Sequence, residues 1–167
     1  MPWRYTKIDW HNVDDFDFLT YSSPCQDISN AGKQRGLEKD SGTRSSLLWY
    51  VEEAIKIKQP KYLLMENVKA LVSKKFQSSF EDWLRLLEQY GYKSFWSVLN
   101  ARDYGVPQNR ERVFVISIKD PNRHYVFPTP IPLQKTFPDL LENESEIPAK
   151  YYVTDKQKQS IKAKLNL

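Results

Sequence analysis

The strongest constraint on the fold is an alternation between short apolar segments and longer segments with one apolar face. Residues 16–21 and 61–65 have the length and composition of strands, and the second contains a continuous Tyr-Leu-Leu-Met run typical of a strand buried in a parallel sheet. Residues 45–58, between them, carry apolar side chains at helical spacing, and Pro60 ends that helix. This order predicts a right-handed crossover in an α/β fold.

The alternation continues through a second helix and two further strands. Ser78 and Glu81 have the spacing of a capping box before a helix, and Gly91 is predicted to end that helix in a left-handed conformation. Strands are predicted near residues 95–99 and 113–118. The complete order is strand, helix, strand, helix, strand, strand, which again indicates the α/β class.

The character of the chain changes after residue 120. A segment with little periodicity is interrupted by Pro121, Pro128, Pro130, Pro132 and Pro138. We therefore predict an irregular, proline-rich extension, followed by a weak, Lys-rich helix over residues 154–166.

Composition excludes several classes of protein. The chain has no apolar run long enough to cross a membrane, and its first residues have no signal-peptide core, so we expect a cytoplasmic protein. Cys25 is the only cysteine, which excludes an internal disulfide framework. His11 and His124 have no neighbouring ligand cluster, so no metal site is predicted. The net charge of +4 permits a polyanionic partner without demonstrating one.

Polar residues follow the predicted strands where ligands of open α/β sheets gather. These groups are Pro24-Cys25-Gln26, Glu66-Asn67-Val68 and Gln108-Asn109-Arg110-Glu111-Arg112. Taken singly, each has an ordinary interpretation: a lone cysteine is usually a small buried hydrophobe, and the charged residues are usually solvated. Together at one sheet edge they predict a candidate site.

Three motifs within these groups make the chain similar to the DNA cytosine-5 methyltransferases. They are Ser-Pro-Cys-Gln-Asp-Ile-Ser at 23–29, Met-Glu-Asn-Val at 65–68 and Gln-Asn-Arg-Glu-Arg at 108–112, and their order and spacing match the family. The resemblance implies the carboxyl-terminal half of a Rossmann-like S-adenosylmethionine-dependent methyltransferase sheet over residues 1–152. Residues 153–167 would then begin a target-recognition extension.

The resemblance also implies roles for four catalytic residues. The Cys25 thiolate would add to C6 of cytosine and make C5 nucleophilic toward the methyl group of S-adenosylmethionine. Glu66 would contact N3 and the exocyclic amine, and Arg112 would hold O2 and help to fix the Cys25 loop. Arg110 would support the same pocket or bind a phosphate.

Supporting roles follow from the same resemblance. Asn67 is expected to tie the end of its strand to the turn at Pro24 and Cys25, and Gln26 and Gln108 complete the motifs. Ser23 stands where an aromatic residue is common in the family.

The resemblance extends to the substrate and the cofactor. Double-stranded DNA would present a flipped cytosine, and the loop over residues 29–44 would close on its phosphates with Lys33, Arg35 and Arg44. An ordinary solvated loop is the alternative interpretation. Leu47 would lie against the adenosine side of the cofactor, although it could equally be part of a helix core.

One part of the family pattern is missing. No Phe-x-Gly-x-Gly cofactor loop precedes Asp15. We therefore expect an amino-terminal complementing chain or self-association, and little activity from the isolated chain. The leading interpretation is a bacterial or phage-encoded enzyme of a restriction–modification type. The alternative is an inactive remnant that binds DNA or a partner methyltransferase.

Overall fold

The computed structural model describes residues 8–25, 28 and 45–165. The chain divides into two compact units, Met1–Leu133 and Gln134–Leu167. The first unit contains the sheet, and all of the strongly predicted elements belong to it.

A four-stranded mixed sheet forms the centre of the first unit. Its strands are β1 (Phe18–Tyr21), β2 (Tyr62–Val68), β3 (Lys93–Asn100) and β4 (Glu111–Ile118), in the order β1-β2-β4-β3. β1 and β2 are parallel, whereas β4 is antiparallel to both β2 and β3. The carboxyl ends of β1, β2 and β3 and the amino end of β4 therefore lie along one edge. The four strands were predicted, but β2 has a parallel neighbour on one side only.

The helix predicted over residues 45–58 is present, with an irregular beginning. Ser45–Tyr50 form a 3-10 helix, and α1 (Val51–Lys58) continues it. Gln59 then adopts a left-handed conformation with φ +47°, immediately before Pro60. Lys58 extends its stem along the protein and its ammonium reaches Asp15 at 2.9 Å, so it contributes to the apolar face through its methylenes.

The second helix, α2 (Gln77–Gln89), begins without the predicted capping box. Its N-cap position is Phe76, so Ser78 lies inside the helix, and the Gln77 side chain donates to Glu81 at 2.8 Å instead. The prediction was wrong because burial of the Phe76 ring in the core, which a local polar motif does not report, sets the start of the helix.

The end of α2 is a complete Schellman motif. The Gly91 N–H donates to the carbonyl of Glu88 and the Tyr92 N–H to that of Leu87, while Gly91 has φ +84°. This confirms the predicted helix end.

The core lies between these helices and one face of the sheet, which we call the core face. Trp83 of α2 and Ile55 of α1 belong to the same buried cluster as strand residues of that face, namely Leu63, Met65, Val113 and Val115. Alternate residues point to the opposite face, which we call the open face. There Phe18 is 54% and Tyr62 44% exposed, and β1 is an edge strand in the described sheet.

The proline-rich segment is irregular, as predicted, and its residues up to Leu133 belong to the first unit. Ile131 forms a parallel bridge with Tyr104, its N–H donates to the Asp103 carbonyl at 2.8 Å, and the Tyr104 hydroxyl donates to the Pro128 carbonyl at 3.0 Å. The segment therefore braces the connection between β3 and β4.

The second unit contains short 3-10 helices and the predicted Lys-rich helix, α3 (Asp155–Leu165). Its compact boundary follows Leu133. The assignment of residues 1–152 and 153–167 to two functional domains remains a prediction. Among the described helices, none has the length and apolarity required to cross a membrane.

Candidate functional site

The sheet edge brings together the three groups of residues that the sequence indicated. Tyr21 at the end of β1 is level with Met65 of β2, and Cys25 follows four residues after Tyr21 as an exposed free thiol. Glu66 is the next residue of β2, and Val68 pairs with Arg112 at the beginning of β4. The thiol, the carboxylate and the guanidinium therefore belong to adjoining segments of one edge.

Glu66 and Arg112 form the central ion pair of this edge. Arg112 Nε lies 3.0 Å from Glu66 Oε1, and the side chains of Arg112 and Glu66 are 23% and 39% exposed, respectively. Arg112 Nη1 also donates to the Glu111 carbonyl at 2.8 Å. This second contact fixes the orientation of the guanidinium plane. The Glu66 carboxylate, a hydrogen-bond acceptor, and the Arg112 guanidinium, with its several donors, therefore lie together on the open face.

Asn67 points to the core face and binds the chain that precedes Cys25. Its Nδ2 donates to the Ser23 carbonyl at 3.1 Å and to Ser23 Oγ at 3.0 Å, while its Oδ1 accepts from the Val68 N–H at 2.9 Å. Asn67 therefore contacts Ser23, the residue before Pro24, and its role in tying the strand end to the Pro24–Cys25 turn stays a prediction. The part played by the Ser23 hydroxyl in that tie was not predicted.

The chain on the other side of Cys25 is also anchored. The Ile28 N–H donates to the Cys25 carbonyl at 3.1 Å, and the Ile28 side chain is completely buried in the core cluster. Half-buried Pro24 precedes Cys25 and restricts the backbone there. The thiol is thus exposed on a short segment with an anchor at each end.

A clasp made by Asn100 closes the connection between β3 and β4. Asn100 Oδ1 accepts from the Arg110 N–H at 3.0 Å, and its Nδ2 donates to Asn109 Oδ1 at 2.6 Å. The Gln108 side chain is exposed, while its N–H donates to the Val106 carbonyl at 2.7 Å. Sequence reasoning missed this clasp, whose only signal is an asparagine at the end of a strand.

Arg110 and Arg112 occupy different environments. Arg110 is exposed, and its guanidinium has no ion-pair partner in the part of the chain that the structure describes. It lines an open groove of about 610 Å³ together with Gln108, Lys69 and Ser73. Lys69 is held there by Glu111 at 2.8 Å, an ion pair that the sequence analysis did not identify.

An aromatic cluster supports the end of β1 from the core side. Trp83 Nε1 donates to the Tyr21 hydroxyl at 3.0 Å, and the Trp83 ring makes edge contacts with Tyr21 and Trp49. Burial raises the pKa of Tyr21 well above its usual value, against the opposing effect of the Trp83 hydrogen bond. Tyr21 is therefore a neutral, fixed support four residues before Cys25.

The two glycines among the described residues do not form a glycine-rich loop. Gly91 ends α2, and Gly105 turns the β3–β4 connection against Ile131, so neither glycine belongs to a loop that could enclose the cofactor. Leu47, the predicted cofactor contact, is buried in the 3-10 helix before α1, as expected for a core residue. Its contact with the adenosine side remains a prediction.

Several predicted site residues lie outside the described residues: Gln26, Lys33, Arg35 and Arg44. Across the described residues there is no group of three or more His, Cys, Asp or Glu side chains that could hold a metal ion.

The fold is a Rossmann-like α/β fold that is similar to the folds of two solved methyltransferases. A methyltransferase from Entamoeba histolytica has a TM-score of 0.60 over 84% of this chain and 42% of its own, with 19% identity. A putative DNA modification methyltransferase of an Escherichia coli prophage has a TM-score of 0.57 over 87% of this chain and 37% of its own, with 23% identity. These similarities establish the fold.

The sequence identifies the family. Residues 4–166 match the family model described as C-5 cytosine-specific DNA methylase. Type II methyltransferase M2.ScrFI of Lactococcus lactis subsp. cremoris is 55% identical over 90% of this chain and 41% of its own length. Type II methyltransferase M.NgoBI of Neisseria gonorrhoeae is 39% identical over 91% of this chain and 47% of its own length. The chain belongs to the C-5 cytosine-specific DNA methylase family and spans less than half the length of these relatives.

Proposed function

We propose that this chain provides the catalytic edge of an enzyme that transfers a methyl group from S-adenosylmethionine to C5 of cytosine in double-stranded DNA. The observation that carries the proposal is the Glu66–Arg112 pair, held at 3.0 Å at the same sheet edge as the exposed Cys25. A restriction–modification or phage setting and a cytoplasmic location accord with the bacterial type II relatives.

Cys25 acts as the nucleophile in the proposed reaction. Its thiolate forms a bond to C6 of a flipped cytosine, and electron density moves to C5, which takes the electrophilic methyl group that S-adenosylmethionine supplies when bound. Loss of the C5 proton to a water molecule then allows elimination, which breaks the bond between C6 and sulfur and returns the thiolate.

The other residues of the edge hold the base and assist this addition. Glu66 contacts N3 and the exocyclic amine, and a proton shared between its carboxyl group and N3 offsets the negative charge that develops in the ring when the thiolate adds to C6. Arg112 donates to O2 from the position that Glu66 and the Glu111 carbonyl fix. Arg110, which is exposed, binds a DNA phosphate, and Lys33, Arg35 and Arg44 bind further phosphates.

A complementing chain supplies the cofactor cradle in this proposal. The two described glycines form no glycine-rich loop, while the edge of β1 and the exposed rings of Phe18 and Tyr62 offer a surface for association. The isolated chain is therefore expected to have little activity. Calorimetry should show no binding of S-adenosylmethionine to the chain alone at micromolar concentrations, and micromolar affinity would contradict this expectation.

A covalent trap tests the proposed reaction. DNA containing 5-fluorocytosine is mixed with the cofactor and with the chain, either alone or with a separately expressed amino-terminal segment of the Lactococcus relative. We expect a protein–DNA adduct at Cys25 in the supplemented reaction and none with Cys25→Ser. The absence of an adduct in every reaction, with the two segments shown to associate, would overturn the proposal.

The alternative function is a non-catalytic remnant that binds DNA or a partner methyltransferase. Neither described glycine belongs to a glycine-rich loop, and this favours the alternative. The same experiment distinguishes the two functions, because a remnant would bind the DNA without forming the Cys25 adduct.

A further inference from the structure

Ser23 and Asn67 form a buried polar pair directly before Cys25. Ser23 is 4% and Asn67 2% exposed, so neither side chain can exchange its partner for bulk water. A buried amide is normally fully hydrogen-bonded. Both donors of the Asn67 amide are directed to Ser23, one to its carbonyl and one to its hydroxyl.

The orientation of the Asn67 amide is determined by its partners. The Val68 N–H can only donate, so it requires Oδ1, and the Ser23 carbonyl can only accept, so it requires Nδ2. The Ser23 hydroxyl consequently accepts the remaining amide hydrogen. The Asn67 amide therefore has one orientation that satisfies these three partners.

The hydroxyl fixes more than its own side chain. Asn67 binds both the carbonyl and the hydroxyl of Ser23, so neither the peptide group nor the side chain of Ser23 can rotate without breaking a hydrogen bond. The ring of the next residue, Pro24, restricts its φ angle. Cys25 follows at once, and its carbonyl is held by the Ile28 N–H. The position of the thiol is thus coupled to Asn67 through a short and restrained stretch of backbone.

We propose that Ser23 is a positioning residue for Cys25, acting through its hydroxyl on Asn67. A side chain without an acceptor atom, such as Ala or Val, could not accept this hydrogen bond, so the coupling depends on the residue type at this position. The proposal rests on the proposed function, because the positioning serves catalysis only where Cys25 is the nucleophile.

The only cysteine in the chain makes a direct test practical. A nitroxide spin label attached to Cys25 of the full-length chain reports local backbone mobility without requiring methyl transfer. We expect Ser23→Ala to shorten the rotational correlation time of the label by about twofold, because one anchor of the segment is weakened. Asn67→Ala should shorten it at least as much.

Matched variants separate positioning from general destabilisation. Ser117 is also a fully buried serine, and its hydroxyl is hydrogen-bonded to Ser94 at 2.8 Å near the opposite end of the sheet. Ser117→Ala should leave the label unchanged. Ser23→Thr and Ser23→Val have the same shape and differ by the hydroxyl, so only Val should increase mobility, and this pair decides the question if Ser23→Ala fails to fold.

Coupling between the two residues is tested by the double variant. In the Asn67→Ala background, Ser23→Ala should have no further effect. The proposal would be overturned if the label were as immobile in Ser23→Ala as in the unchanged chain, or if Ser117→Ala increased its mobility as much as Ser23→Ala does. It would also be overturned if the effects of Ser23→Ala and Asn67→Ala on label mobility were additive in the double variant. Failure of the 5-fluorocytosine trap would instead overturn the proposed function and leave this comparison intact.

Discussion

At the scale of single residues, the contacts that arrange the candidate site join residues of one sequence motif to residues of another. Asn67 holds Ser23, and Glu66 holds Arg112, so neighbouring residues of β2 arrange different parts of the edge. The motif residues were predictable from the resemblance. The Lys69–Glu111 ion pair was not, because it joins segments 42 residues apart. The Asn100 clasp was not, because it depends on the conformation of the irregular β3–β4 connection.

The planar guanidinium of Arg112 should be essential to the proposed reaction. Arg112→Lys keeps the charge but loses the fork that contacts both Glu66 and the Glu111 carbonyl. We expect adduct formation in the supplemented trap to fall about 100-fold, as for loss of one preorganised donor. Arg123→Lys, an exposed residue paired with Asp120, is the matched control and should retain full activity. A fall of less than about twofold with Arg112→Lys would contradict the assigned role.

Tyr92 should make the stability of the chain sensitive to alkaline pH. Burial raises the pKa of Tyr92 from 10.0 to about 12, and its hydroxyl donates to the Pro60 carbonyl at 2.6 Å. The folded chain holds this proton more tightly than the unfolded chain, so its contribution is complete below pH 10 and is lost between pH 10 and about 12.

Tyr92→Phe provides the measurement of this effect. The variant should be less stable at neutral pH by about 1 kcal/mol, because a buried hydrogen bond is lost. The difference in free energy of unfolding between the variant and the unchanged chain should become smaller above pH 10, because ionisation of Tyr92 then destabilises the folded unchanged chain. Urea unfolding at several pH values measures both effects, with exposed Tyr50→Phe as the control. A pH-independent difference would contradict the assignment.

At the scale of elements, the predicted strands and helices were correct where apolar periodicity determines them. α2 and β2 have strong patterns and pack in the core, so local and tertiary preferences agree. The capping box at Ser78 failed because the buried Phe76 ring competes with it at the helix start. The 3-10 beginning at Ser45–Tyr50 has no distinctive periodicity, so the sequence could not separate it from α1.

Two glycines with positive φ offer a comparison between strain and crowding. Gly91 has φ +84° and open space where a side-chain methyl group would lie, whereas at Gly105, with φ +81°, such a methyl would meet Ile131 Cδ1 at 3.3 Å. Gly91→Ala should cost about 1 kcal/mol from backbone strain alone. Gly105→Ala should cost more, because it also pushes the β3–β4 connection away from the proline-rich segment.

Thermal unfolding of the two alanine variants gives the comparison. Shortening the neighbour in a Gly105→Ala, Ile131→Val double variant should recover the crowding part of the loss and leave the strain. The result would be contradicted if Gly91→Ala were as destabilising as Gly105→Ala, or if Ile131→Val gave no recovery in that background.

At the scale of the whole molecule, the two faces of the sheet differ in their degree of coverage. The core face is packed against α1 and α2, whereas Phe18 and Tyr62 of the open face remain about half exposed. The exposed edge of β1 adds unpaired backbone groups beside these rings in the described sheet. The sequence predicted this surface only through the resemblance, since a local pattern does not show what a neighbouring segment would cover.

Self-association should therefore depend on the open face. Phe18→Lys places a charge on the edge strand and should move the chain toward a monomer in sedimentation velocity experiments. Val126→Lys changes an exposed apolar residue of the proline-rich segment and should not. An unchanged distribution of species with Phe18→Lys, or a monomer before any substitution, would contradict self-association through this face.

The side-chain alternation of β2 limits how the chain can be engineered. The side chains of Asn67 and Glu66 point to opposite faces of the sheet because the two residues are adjacent in a strand. Inserting one residue upstream within β2 would therefore turn each side chain to the other face. Insertions or deletions of two residues preserve the parity. Chimeras with other members of the family should therefore be joined outside Tyr62–Val68, where a difference in length does not exchange the positions of Asn67, which holds Ser23, and Glu66, the carboxylate proposed to contact the base.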